Sequence, residues 1–141
     1  MDTHEFLLVL VSWAANLTSY PYPGTAPELA RRPHAFFVEH ACGGREDCGV
    51  VAWYNDEGTV YLDDRVEDIQ DPVVRSVLVH EMVHYLQHLS GKFDLSRCED
   101  RVTRERQAYS VQRIYLNRIA GRFGATWPVF EHCPAQPEGT P

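Results

Sequence analysis

The sequence predicts an α+β fold in a single domain. Three observations carry this reading: an amphipathic stretch near the N-terminus, a strand–turn–strand pattern in the middle, and two long helical patterns following it. The chain has 141 residues, 44% of them hydrophobic, with no internal repeat or low-complexity run. A chain of that length forms one domain and can bury a core of its own.

Residues 5–19 read as the first helix, with Phe6, Leu7, Leu10, Val11, Trp13, Ala14 and Leu17 supplying its apolar positions. The run Tyr20-Pro-Tyr-Pro-Gly24 breaks it, and Pro27 and Pro33 predict an irregular path up to residue 33. Residues 1–33 are thus a helix and a proline-rich connection. The strands are expected within residues 34–64, at 35–38, 49–54 and 59–62. The last two are joined by the turn Asn-Asp-Glu-Gly at 55–58. The resulting sheet is expected to be small and mostly antiparallel.

The third pattern covers residues 71–91 and is punctuated at both ends. Asp71 caps it, Pro72 occupies the first helical position and Gly91 stops it. Val74, Leu78, Met82, Leu86 and Leu89 form one apolar stripe, with Tyr85 beside it. Residues 80–84 read His-Glu-Met-Val-His. Positions four apart on a helix share a face, so His80 and His84 can present two imidazoles to one metal ion, with Glu81 beside them. Zinc suits nitrogen ligands, and its catalytic sites use three protein ligands with a fourth position open. In such a motif the glutamate acts as general base.

A further helix is expected over residues 97–122. Joined to the previous helix by a short connection, it can bring an acidic residue opposite the two histidines. Glu99, Asp100 and Glu105 are the candidates. The first two complement the positive end of the helix dipole. Glu105 is favoured as the third ligand because the small Ala108 permits close helix approach. Tyr109, following it, can direct a hydroxyl towards the same pocket.

With these motifs the chain resembles the gluzincins, zincin-fold metallopeptidases with HExxH on one helix and a glutamate ligand on the next. Its size makes it most similar to the minigluzincins. The resemblance covers roughly residues 50 to 110 and implies a zincin-like fold. It also implies a bound Zn2+ with His80, His84 and Glu105 as ligands, and Glu81 as general base acting on a peptide or protein substrate. By the same resemblance, a sheet edge beside the cleft would hold an extended substrate by main-chain pairing. Two positions depart from larger relatives: Tyr109 stands where thermolysin-like members carry an aspartate, and Arg104 where aminopeptidase-type members carry an asparagine. Tyr109, with Tyr85 as the alternative, is the candidate donor to the oxyanion. The competing function is a zinc-containing binding or regulatory module without turnover. The intact Glu81 favours the enzyme, because a purely structural zinc site has no use for a base.

The net charge of −7 is unevenly spread, with +4 over residues 97–122 and −9 over residues 1–96. The basic helix lacks interleaved aromatics or a nucleic-acid reader motif, so a solvated helix face is the better reading than a nucleic-acid surface. The apolar run from Phe6 to Val11 is too short to span a membrane, and Asp2 and Glu5 precede it where a signal peptide would be basic. The four cysteines contain no CxxC pair. Three pairings are possible, and the favoured one joins Cys42 to Cys48 and Cys98 to Cys133, the latter tying the tail of residues 123–141 to the glutamate helix. Paired cysteines point to a periplasmic or secreted protein, and free thiols to a cytoplasmic one. His88 is read as solvent-exposed. Gln87 and Asp94 are able to orient imidazoles, and nothing in the sequence selects them for it.

Overall fold

The computed structural model describes residues 1–121 and Cys133. Helix α1 (Thr3–Leu17) is followed by strand β1 (Glu28–Arg32), helix α2 (His34–His40) and strands β2 (Ala52–Tyr54) and β3 (Thr59–Asp63). Helices α3 (Pro72–Ser90) and α4 (Cys98–Ile114) complete the fold, and α4 runs on into a π-helical turn over Tyr115–Ile119. The result is a small single-domain α+β fold with four α-helices and one three-stranded sheet among the described residues.

The sheet departs from expectation in three ways. Its order is β1-β3-β2, with β1 parallel and β2 antiparallel to β3. It is therefore mixed, with five parallel residue pairs against three antiparallel ones. Residues 28–32 pair fully although they were expected to be irregular, because Pro27 and Pro33 flank the strand and remove no hydrogen bond from its interior. Residues 35–38 are helical and not extended. Pro33 precedes the first turn, and the helical path turns Phe37 fully into a small cluster with Cys42 and Cys48. Tertiary burial here overrides the β preference of Phe-Phe-Val.

The hairpin turn is as read. Asn55 Oδ1 accepts the N–H groups of Glu57 and Thr59, and Asp56 takes a left-handed conformation at φ 57°. The main core lies between the inner face of the sheet and α1, α3 and α4, through Leu10, Val11, Val60, Leu62, Leu78 and Met82. Of the predicted stripe on α3, Leu78, Met82 and Leu86 are buried, whereas Leu89 is exposed past the end of the packed surface. Both favoured disulfides are present, Cys42–Cys48 and Cys98–Cys133. The rest of the predicted tail lies outside the described residues, as does residue 122 of the glutamate helix.

At the end of β3, the buried Asp63 carboxylate accepts two hydrogen bonds from the Arg65 side chain and one from the Arg65 backbone N–H. His34 Nδ1 lies 2.7 Å from Oδ2, the oxygen that Arg65 Nη2 also bonds, and this contact joins the start of α2 to the sheet. Burial alone would raise the Asp63 pKa, but the bonds from Arg65 and His34 outweigh it and hold the carboxyl below its usual range. A lowered folded-state pKa contributes stability above the unfolded value of about 3.9, and that contribution is lost as pH falls through the folded value. Asp63→Asn is expected to cost about 2 kcal/mol at neutral pH. Urea unfolding at a series of pH values should show the variant lacking this part of the acid-induced loss. Equal stability of the two proteins at neutral pH would contradict it.

Candidate metal centre

Helix α3 presents its polar row because both of its ends are fixed. Asp71 Oδ2 accepts the N–H groups of Val73 and Val74, and Gly91 closes the helix at φ 65°. Within those limits His80, Glu81 and His84 are all buried, at 6%, 7% and 8% exposure. They line a cleft of about 920 Å³ that also touches Glu105, Tyr109 and Trp53. Its walls are α3, α4, the edge strand β2 and the loop closed by the Cys42–Cys48 disulfide.

The two imidazoles converge. His80 Nε2 and His84 Nε2 are 3.2 Å apart. Glu105 reaches them from α4, with Oε1 2.6 Å from His84 Nε2 and Oε2 3.5 Å from His80 Nε2. One donor atom from each residue lies within 4.8 Å of the others, so the group can hold a metal ion. Tetrahedral zinc with ligands at about 2.1 Å separates its donors by roughly 3.4 Å; the two imidazole nitrogens are near that spacing, and Glu105 Oε1 lies closer to His84. Two nitrogens and one carboxylate oxygen also leave a coordination position free.

Each imidazole is held from behind by a glutamine: His80 Nδ1 is 2.9 Å from Gln112 Oε1, and His84 Nδ1 is 2.8 Å from Gln87 Oε1. Gln87 thus contacts the ring, while Asp94 is exposed and bonds Ser96 instead. Gln112 was missed. It stands 32 residues after the imidazole it bonds, and no local pattern marks it. Compared with family models, curated proteins and solved structures, the chain finds no match.

Glu81 points into the same cleft, with Oε2 accepting the backbone N–H of Tyr54 at 3.1 Å. Its pKa is pushed up to about 7, first by burial and then by the charge of Glu105, against the lowering effects of His80 and the Tyr54 N–H. Glu105 shifts the other way. Burial would raise it, but hydrogen bonds from His80 and His84 hold it well below the usual carboxylate range. Tyr109 packs edge-on against His80 with ring centroids 4.4 Å apart. Tyr85 does not share the cleft, and its hydroxyl is 2.6 Å from Thr25 Oγ1.

The other acidic candidates stand apart. Asp100 accepts the Asp94 N–H and Glu99 is exposed, so neither joins the donor group. His88 is exposed, with Nδ1 2.6 Å from the Tyr54 hydroxyl. Arg104, read from the sequence as part of a solvated basic face, is buried. It bonds Asp56 in the hairpin turn at 2.6 Å and Gln87 at 3.1 Å. That link joins α4 to the β2–β3 hairpin across one end of the cleft.

A donor group of this kind should couple metal binding to stability. Zinc at roughly a thousandfold excess over its Kd is expected to stabilise the fold by about 4 kcal/mol. This is measurable as a rise in Tm, and Glu105→Ala should lose most of it. An undiminished rise in that variant would remove Glu105 from the donor set.

Proposed function

We propose that the chain is a zinc-dependent peptidase of minimal gluzincin type, hydrolysing peptide bonds with Glu81 as general base. One observation carries the reading: in the cleft of the three-residue donor group, the Glu81 carboxylate meets the edge of β2 that no described strand covers. The N–H of Asn55 and the carbonyl of Val51 pair with β3. By strand alternation, the polar backbone groups of Ala52 and Tyr54 face away from β3, with the Tyr54 N–H taken by Glu81. That edge suits pairing with an extended peptide.

His80, His84 and Glu105 hold the ion in this reading. Zinc bound there supplies Lewis-acid polarisation of a scissile carbonyl and of water. Glu81 takes the proton from the attacking water and returns it to the leaving amine. The Tyr54 N–H orients Glu81 towards the peptide edge. Tyr109 serves as hydrogen-bond donor to the oxyanion, a role supported by its place on the cleft wall beside His80. The two disulfides fit a periplasmic or secreted location, and no described helix is long and apolar enough to cross a membrane.

The same hydrogen bond supports the second reading, a zinc-containing binding or regulatory module. Tying α3 to β2 gives Glu81 a structural use that needs no turnover. Glu81→Gln separates the two, because the amide oxygen still accepts the Tyr54 N–H while the base is lost. The variant is expected to keep its zinc and lose at least about 100-fold in cleavage of a peptide library. Unchanged cleavage would refute the role of Glu81, and a zinc-loaded wild type that cleaves no peptide would favour the binding module.

A further inference from the structure

We infer that Gln87 and Gln112 are positioning residues of the metal centre, orienting both imidazoles and, through Gln87, Glu105 as well. The inference rests on the zinc site proposed above.

A neutral imidazole has one N–H and one lone pair, and the partner of one nitrogen decides which is which. Amide oxygens can only accept. With Gln112 Oε1 2.9 Å from His80 Nδ1 and Gln87 Oε1 2.8 Å from His84 Nδ1, both rings carry the proton on Nδ1. In the zinc-loaded site both Nε2 atoms, 3.2 Å apart, would then present lone pairs to the ion, whereas without it they hold the Glu105 carboxylate.

The orientation of each amide matters, since a reversed glutamine would present NH2 to the ring. Arg104 fixes it for Gln87 with two groups that cannot exchange roles. Its Nε–H, a donor only, is 3.1 Å from Gln87 Oε1, and its backbone carbonyl, an acceptor only, is 3.0 Å from Gln87 Nε2. Gln87 Nε2 also donates to Gln107 Oε1 at 2.9 Å. For Gln112 the partner is Ser76, whose hydroxyl donates to the Val73 carbonyl and so offers its oxygen to Gln112 Nε2 at 3.4 Å.

The two glutamines differ in reach. Both are almost fully buried, at 1% and 4% exposure. Gln112 touches one ligand only. Gln87 holds the His84 ring and also the α4 backbone at Arg104, one residue before Glu105. Losing Gln87 therefore disturbs two of the three ligands, and losing Gln112 one. Both supports are neutral amides, so they orient the rings without placing a further negative charge behind them.

The test is a zinc titration against a competing chelator on folded wild type, Gln112→Leu, Gln112→Glu and Gln87→Met, with ring-nitrogen NMR on the zinc-loaded proteins. Gln112→Leu is expected to weaken zinc binding by about 10- to 100-fold, and Gln87→Met by more. Gln112→Glu, which keeps the accepting oxygen, should hold zinc at least as tightly as wild type. Wild type should show slowly exchanging Nδ1–H signals for both His80 and His84, and Gln112→Leu should lose that of His80 alone. Unchanged zinc affinity in Gln112→Leu, with the His80 signal still protected, would overturn this inference and leave the peptidase reading standing. A wild type that binds no zinc would overturn both.

Discussion

Every residue of α3 from Leu78 to Gln87 is buried, and within that stretch His80, Glu81, His84 and Gln87 carry strongly polar side chains. A helix can pass through an interior in this way only if each polar head finds a partner, because an unpaired one costs about 1–3 kcal/mol. The surrounding elements meet that requirement. Gln112 and Glu105 come from α4, the Tyr54 N–H comes from β2, and Gln87 is met by Arg104 and Gln107. Among the described residues, the only buried side-chain nitrogen or oxygen without a hydrogen-bond partner is Arg75 Nε, outside this stretch. The contact of α3 with α4 is thus polar as well as apolar, and its polar half fixes how the second helix sits against the first.

The charges in the cleft lead to the same arrangement. Glu81 and Glu105 line the same cleft, and the charge of Glu105 raises the pKa of Glu81. The two imidazoles bond Glu105 and thereby lower its own pKa. A divalent cation held by these groups would offset the repulsion that two carboxylates otherwise impose on a buried site. Arg104 adds a fixed positive charge nearby, but its guanidinium is already engaged by Asp56 and Gln87. It therefore braces the hairpin turn against α4.

What the sequence makes legible here is what short-range chemistry encodes. Asp71, Pro72 and Gly91 mark the ends of α3, the spacing of four sets His80 and His84 on one face, and Asn55 to Gly58 specify the turn. Glu105 was found through an argument about two helices joined by a short loop. The failures share a different cause. Residues 28–32 pair with β3 through contacts some thirty residues apart in sequence, and nothing local distinguishes an edge strand flanked by prolines from a loop. Residues 35–38 have the composition of a strand, yet Phe37 is placed by the cluster it fills. Gln112 and the Arg104–Asp56 link depend on the approach of elements distant in the chain, for which a glutamine or arginine on a helix gives no signal.

The two sides of the cleft are held by unequal means. The helices that carry the donor group rest on the main core, which draws on α1, α3, α4 and both β2 and β3. The opposite wall rests on a cluster in which Phe37, Cys42 and Cys48 are the buried members, flanked by the half-buried Phe36, Trp53 and Tyr61. Arg32 lies over the Tyr61 and Phe36 rings at 5.0 and 5.9 Å, covering part of that apolar surface. So few buried side chains give a weak core, and closing a short loop with a disulfide offsets part of the entropy of ordering it, by about 2 kcal/mol. The donors owe their positions to the main core and to the polar contact between α3 and α4. The loop wall owes its position to the outer face of the sheet and to one covalent bond, so the donor group and the wall opposite it rest on different clusters of the fold.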